Sequence, residues 1–441
     1  MDPLYSGIVS IFATLILIGL GIPIGFSIAV VALTGLYLIG GSTLMLTSVE
    51  GIPFEFASQY GFVVIPMFIL MGAFAEISGI TKDFYDFFYR LLGKVRGGLL
   101  MVTILSSAGF AAISGSTMVN AVVFTRIALP QMLSFGYDKA LAAGCIAAAG
   151  TFAALIPPSI MMVVYALLTG QSIGELLIAG IVPGVLTAVA YLVLVGFLAR
   201  SRPELAPVPD VQFTIREKLQ SFYSIWPFVL LALIVIGGIY SGAMPPSSAG
   251  AVGAVGAFVI MLLRSWLRRQ PIPRKDLFGS MQSAAVTSAS LFLIIIAGLL
   301  LSRFFVYAGF VDEIVYFIRE LDIPPYWVIA AIVLMYLILG CFMDTVSMTV
   351  VTVPFIYPIV VSLGYDPVWF GVILIKLIEI GVLTPPIGLN LFAVISSAQG
   401  RISTQDMFRG VIPFLLLELL ILVALYLFPG IVLWLPSLMI N

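Results

Sequence analysis

The chain has 441 residues, of which 61% are hydrophobic and 9% charged, with a mean hydropathy of +1.19 and a formal net charge of −1. A soluble core is excluded, and near-neutrality gives no reason to expect a nucleic-acid partner. Histidine is absent, which removes His-ligated metals, Ser-His catalysis and imidazole relays together.

Uncharged runs of spanning length recur from end to end, the pattern of an all-α polytopic membrane protein rather than the short alternating segments of a β-barrel. In chain order they predict ten crossings, at about 4–20, 22–40, 60–78, 138–170, 176–199, 223–240, 247–263, 282–301, 367–398 and 408–432. Met1–Pro3 leads into the first of these without a basic leader, so no cleavable signal peptide is expected. Two further apolar insertions, 99–133 and 325–363, are each interrupted near the middle, by "ISGSTMVN" (113–120) and "CFMDTVSM" (341–348). Both read as re-entrant hairpins, which survive only where protein or water covers their tips. Segments 82–98 and 310–321 read as amphipathic arms at opposite surfaces. Cys145 and Cys341 lie in apolar surroundings, so neither a disulfide nor a metal site is expected.

Segments 79–98, 134–139, 200–222, 264–281 and 399–409 carry sixteen of the twenty Lys and Arg residues. Placed on one side, they make that side cytoplasmic and both termini periplasmic. The polar, Pro-rich stretch 199–222 reads as a cytoplasmic linker between two halves, 1–198 and 223–441. The halves repeat at an offset of 228: Thr117 falls on Thr345, Pro130 on Pro358, "SFGYD" (134–138) on "SLGYD" (362–366), and Pro157-Pro158 on Pro385-Pro386. Five crossings per half is an odd number, so the second copy is inverted, the architecture of secondary transporters with a midplane site.

The paired prolines sit inside the broken crossings. Each removes an N–H and frees the carbonyl four residues earlier: Ala153 and Ala154 in the first half, Gly381 and Val382 in the second. An unmatched carbonyl in hydrocarbon costs several kcal/mol, so a partner is required. A desolvated sodium ion is one candidate. The hairpin tips add Ser114, Ser116, Thr117 and Asn120, and then Asp344, Thr345 and Ser347. Helices emerging from the tips near Thr117 and Thr345 would direct positive ends at an anionic substrate. Elsewhere, Pro-Pro at 245–246 and 324–325 reads as a loop or span end.

"AAISGST" followed by "AALIPPSI", and "FMD" followed by "EIGVLTPPIGLNLF" (379–392), resemble the large membrane subunit of tripartite ATP-independent periplasmic (TRAP) transporters over nearly the whole chain. The resemblance implies sodium-coupled import of an organic anion, a carboxylate or a sialic acid-like sugar acid, across the inner membrane. It also implies an elevator mechanism, a periplasmic substrate-binding protein and a small four-helix membrane subunit. No four-helix extension precedes the first half, so that subunit is expected to be separate. Residue by residue, the resemblance puts sodium ligands on Ser114 and the turn Ala153–Pro158, and by internal symmetry around Asp344 and Gly381–Pro386. With the tip oxygens, the candidate sodium set is Ser114, Ser116, Thr117, Asn120, Ala153, Ile156 and Pro158, then Asp344, Thr345, Ser347, Gly381, Thr384 and Pro386. Candidate substrate contacts are Ser116, Thr117, Thr345, Pro157, Pro385 and Asn390. Sodium is the only expected cofactor, and no enzyme activity is expected. A stand-alone sodium/dicarboxylate symporter of similar hairpin architecture is the alternative.

Among the remaining charges, Glu76 is read either as a gate or as a snorkelling side chain. Lys376 is read as an i,i+3 partner of Glu379 or as an attractor for the substrate anion, and Glu418 as facing either the scaffold core or the small subunit.

Overall fold

A computed structural model describes residues 2–210, 212–320 and 322–439; Val211 of the expected linker and Leu321 of the expected second arm lie outside the described residues. The described chain is helical throughout. Eight helices are long and apolar enough to cross a membrane, nine if the bent pair Lys139–Leu155 and Ile160–Thr169 counts as one span. This multi-pass architecture agrees with the composition, although the sequence reading has ten crossings. Pro3–Gly19 is shorter, at 17 residues, and the segment 367–398 is divided into Pro367–Leu383 and Leu389–Ser397.

Ile24–Ser58 spans 35 residues, but its first helix stops near 40 as expected, at the non-helical Gly41, and a second helix continues to Ser58. Gly41, at φ 68°, interrupts it and divides an apolar first part from a second that ends beside the start of the next helix. The arms are helices as expected, Ile80–Leu92 and Phe310–Glu320. Ile80–Leu92 is entered through Gly79 at φ 75°, and Phe310–Glu320 follows Gly309 at φ 70°.

The 228-residue offset is visible in the element boundaries. Hairpin arms Gly98–Ser114 and Thr117–Ser134 are matched by Pro325–Leu339 and Thr345–Ser362. Each "GYD" then starts a broken helix: Asp138 accepts from the Leu141 N–H at 2.8 Å, and Asp366 from the Val368 and Trp369 N–H groups at 2.9 Å. A carboxylate at this position satisfies donors that have no intrahelical partner and faces the positive helix end.

Polar ties rather than packing distinguish two groups of helices, since one buried apolar core runs across both. Arg274–Ala308 lies along Ile24–Ser58, and Pro246–Arg268 lies along Val64–Ile77, where Gly250 and Gly253 admit Met67, Phe68 and Met71. The hairpins, the broken helices, Ile181–Ser201 and Thr404–Leu427 form the other group, tied by side-chain bonds such as Tyr165 Oη to the Pro367 carbonyl at 2.8 Å and Trp369 Nε1 to the Leu425 carbonyl at 3.1 Å. Among the described residues, no hydrogen bond or salt bridge joins Ile24–Ser58, Val64–Ile77, Pro246–Arg268 or Arg274–Ala308 to the hairpins or the broken helices. The boundary is held by apolar contact, for example Phe305 against Phe355.

Within the second group, Gly144 and Gly410 let Lys139–Gly150 and Thr404–Leu427 touch backbone to backbone; a Cβ on either would run into the carbonyl of Gly410 or Ala140. Gly410→Ala is expected to cost about 1–3 kcal/mol through overpacking and to lower the thermal unfolding midpoint in detergent. Gly279→Ala, with open space around it, should leave the midpoint unchanged or raise it.

Candidate functional site

Each hairpin turns at a glycine-containing tip, and each tip rests on the proline break of its own half. In the first half, Gly115 at φ 60° ends the arm that closes with Ser114, and Ser116 caps the next arm, accepting from the Val119 N–H at 3.5 Å. A Cβ on Gly115 would stand 2.8 Å from the Pro158 carbonyl oxygen. In the second half, a Cβ on Gly340 would run into the Gly381 backbone, and Cys341 Sγ lies 3.9 Å from the carbonyl oxygens of Thr384 and Pro385. Tip and break, about forty residues apart in sequence, therefore meet in both halves.

The freed carbonyls have different fates. Ser159 Oγ donates to the Ala154 carbonyl, and the Thr384 N–H donates to that of Gly381 at 3.0 Å. Among the described hydrogen bonds, none reaches the carbonyls of Ala153 or Val382. The partner that the sequence requires is thus supplied by the protein itself for Ala154 and Gly381. The serine that immediately follows the prolines folds back on Ala154, and the chain's own turn closes on Gly381.

The tips and the helices that restart after the breaks enclose a cavity of about 290 Å³. Of the expected residues, Ser114, Ser116, Thr117, Asp344, Thr345 and Asn390 line it, together with Glu76. Ser114 Oγ and Asn390 Nδ2 are buried without a hydrogen-bond partner. Asp344 caps Thr345–Ser362, accepting from the Val346 N–H at 3.1 Å, the Ser347 N–H at 3.3 Å and the Ser347 hydroxyl. That helix end therefore already faces a carboxylate, whereas Thr117–Ser134 begins at a neutral serine. The lining contains two acids, Glu76 and Asp344, and no Lys or Arg.

Other expected residues lie behind the wall. Asn120 is buried and cross-links the hairpin to the broken helix, donating to the Ser107 carbonyl at 3.2 Å and the Gly150 carbonyl at 3.4 Å while accepting from Ser107 Oγ at 3.1 Å. Ser347 is spent on Asp344, and the Thr384 hydroxyl donates to the Ile380 carbonyl at 2.7 Å. Ala153, Ile156, Pro157, Pro158, Gly381, Pro385 and Pro386 form the turns that support the tips and do not line the cavity; both Pro-Pro bonds are cis. Ser283 and Thr287 do line it and were not singled out by sequence reasoning. Their four-residue spacing puts both on one face of Arg274–Ala308, and that was the available signal.

The reading of Lys376 as an attractor for an anion fails. Its ammonium is fully buried, 3.0 Å from Glu379 Oε2, 2.5 Å from Glu418 Oε2 and 3.1 Å from Thr187 Oγ1, while Tyr191 donates to the other Glu418 oxygen. Ile181–Ser201, Pro367–Leu383 and Thr404–Leu427 are joined by this cluster, away from the cavity.

The family described as "Tripartite ATP-independent periplasmic transporter, DctM component" matches residues 9–431. This chain belongs to that family. A C4-dicarboxylate TRAP transporter large permease protein of Pseudomonas aeruginosa is 35% identical over 405 residues, covering 90% of this chain and 92% of its own length. A sialic acid TRAP transporter large permease protein of Vibrio cholerae is 31% identical, with 98% and 99% covered. Among solved structures, the YdaH transporter of Alcanivorax borkumensis superposes with a TM-score of 0.62 over 98% of each chain at 15% identity, a likeness of fold alone. The chain is thus a TRAP transporter large permease, a multi-pass inner-membrane protein and not an enzyme. Relatives of this kind do not favour the stand-alone symporter.

The permease's buried charge cluster yields a stability prediction. Lys376→Met leaves two carboxylates facing each other without a cation and is expected to cost about 3–5 kcal/mol. Adding Glu379→Gln and Glu418→Gln should recover most of the loss, read as the unfolding midpoint of the purified protein.

Proposed function

We propose that this permease imports an organic anion, a carboxylate or sugar acid, driven by a sodium gradient. In this reading the halves 1–198 and 223–441, joined by the cytoplasmic linker 199–222, are inverted repeats with both termini periplasmic. A periplasmic binding protein delivers the substrate, and a small four-helix subunit flanks the permease.

The observation that carries the sodium reading is the charge of the cavity. Glu76 and Asp344 line it and no cationic side chain does, so an anion entering a partly desolvated site needs mobile cations beside it. The unmatched Ser114 hydroxyl and the carbonyls of Ala153 and Val382 are hard oxygen donors at the tips and breaks. They are proposed as sodium ligands, with the carbonyls of Ile156 and Pro158, the tip oxygens of Ser116, Thr117, Asp344 and Thr345, and the turn Gly381–Pro386 completing the two sets. The substrate carboxylate is assigned to the open start of Thr117–Ser134, near Ser116 and Thr117, and Asn390 supplies an amide donor from the second half.

The elevator reading rests on the boundary that no hydrogen bond crosses. A transport body of hairpins, broken helices, Ile181–Ser201 and Thr404–Leu427 can slide along Val64–Ile77 and Arg274–Ala308 without breaking a polar contact, the requirement for shear motion.

Thermal unfolding in NaCl, KCl and choline chloride at fixed ionic strength tests the coupling ion. Sodium alone should raise the midpoint, by the equivalent of about 2.7 kcal/mol at a hundredfold excess over the dissociation constant, and Ser114→Ala should shrink the rise. Equal midpoints in the three salts would refute sodium binding to the free permease. The sliding boundary has its own test. Gly298 packs on Val350, a Cβ there lying 3.3 Å from the Val350 Cβ, so a disulfide between Gly298→Cys and Val350→Cys, in a background lacking Cys145 and Cys341, should arrest reconstituted transport until reduced. Undiminished transport in the cross-linked form would contradict the elevator.

A further inference from the structure

The turn between Pro246–Arg268 and Arg274–Ala308 is a second polar site, about two to three helical turns before the cavity-lining Ser283. We propose that it binds the headgroup phosphate of an anionic phospholipid.

Five basic residues, Arg264, Arg268, Arg269, Arg274 and Lys275, fall within this short connection. Two are already engaged: Arg264 and Arg268 both meet Asp83 on the first arm, the latter at 2.7 Å. The other three make no salt bridge among the described residues. The turn is rigid. The Gln270 N–H donates to the Ser265 carbonyl at 3.1 Å, and Ser265 Oγ donates to the Gln270 carbonyl at 2.8 Å. Pro271 and Pro273 then fix the approach to the long helix, whose N-cap is Pro273.

Arg269, held at φ 54°, borders an open depression of about 630 Å³ with Trp266, Leu267 and Pro271. Trp266 is 75% exposed and Leu267 60%. An exposed indole beside the unpaired Arg269 guanidinium, with Arg274 and Lys275 a few residues further along the chain at the end of two membrane-spanning helices, matches a lipid's own order of phosphate above acyl chain. The first turn of Arg274–Ala308 also presents backbone N–H groups to an anion. Asp276 in that turn offsets one charge, leaving an excess of cations. A free anion would use the same guanidinium groups but gain nothing from Trp266 and Leu267, so the lipid is the better match.

The test measures quenching of Trp266 fluorescence in the full-length permease in detergent by brominated phosphatidylglycerol and by brominated phosphatidylcholine, with Trp266→Phe as the blank. Phosphatidylglycerol should quench at about tenfold lower mole fraction, with about a fivefold loss of that preference when Arg269, which borders the depression, is neutralised. Arg269→Gln/Arg274→Gln/Lys275→Gln should abolish the preference, and Arg269→Gln alone should weaken it should the triple variant not fold. Arg401→Gln/Arg409→Gln, elsewhere on the basic side, should leave it intact. Equal quenching by the two lipids overturns the proposal, as does an equal loss in the Arg401/Arg409 control, which would signify general surface charge. Displacement by millimolar inorganic phosphate at constant ionic strength also overturns it, in favour of a free-anion site.

Discussion

A backbone carbonyl inside a membrane must have a partner, and this constraint organises the permease. Two prolines in a spanning helix create carbonyls that the helix cannot satisfy. The protein answers by bringing a hairpin tip to each break, and in doing so builds the cavity. Ser159 and the Thr384 N–H meet part of the demand. Of the part left over, Val382 lies in the cavity wall and Ala153 in the turn behind it.

Among the described residues, hydrogen bonds and salt bridges are concentrated within each group of helices, and none joins the two groups. Asn120 ties the hairpin to its broken helix, the Lys376 cluster ties three helices of the same body, and Asp83 ties the first arm to Pro246–Arg268. Where these ties are absent, the helices meet through apolar side chains. In lipid such contacts are held by packing rather than by exclusion of water, and neighbouring lipid tails compete with them on nearly equal terms.

Much of this was legible from spacing. Thr117–Ser134 and Thr345–Ser362 begin and end at the 228-residue offset, because Gly-Tyr-Asp and Pro-Pro are local signals that act through backbone geometry and capping. What the sequence hid was long-range. Glu418 lies 42 residues beyond Lys376 on another helix, and no local pattern announces that pairing. The destination of Asn120, the fold-back of Ser159 and the cavity-facing side of Ser283 and Thr287 likewise depend on which helix packs opposite. The break at Gly41 agrees with the expected end of the second crossing near 40, whereas the helix that continues from it to Ser58 was not expected.

Arg274–Ala308 joins the cavity wall to the basic turn, and its length has a further consequence. At 35 residues it extends about 52 Å at the usual helical rise, against a hydrocarbon core of about 30 Å. It must tilt or project from the bilayer, and the accommodation is shared by Ser283, Thr287 and the turn at its start, since all ride on one rod. Membrane thickness therefore bears on the depth at which this wall meets the hairpin tips, making the surrounding bilayer a structural dimension of the site itself.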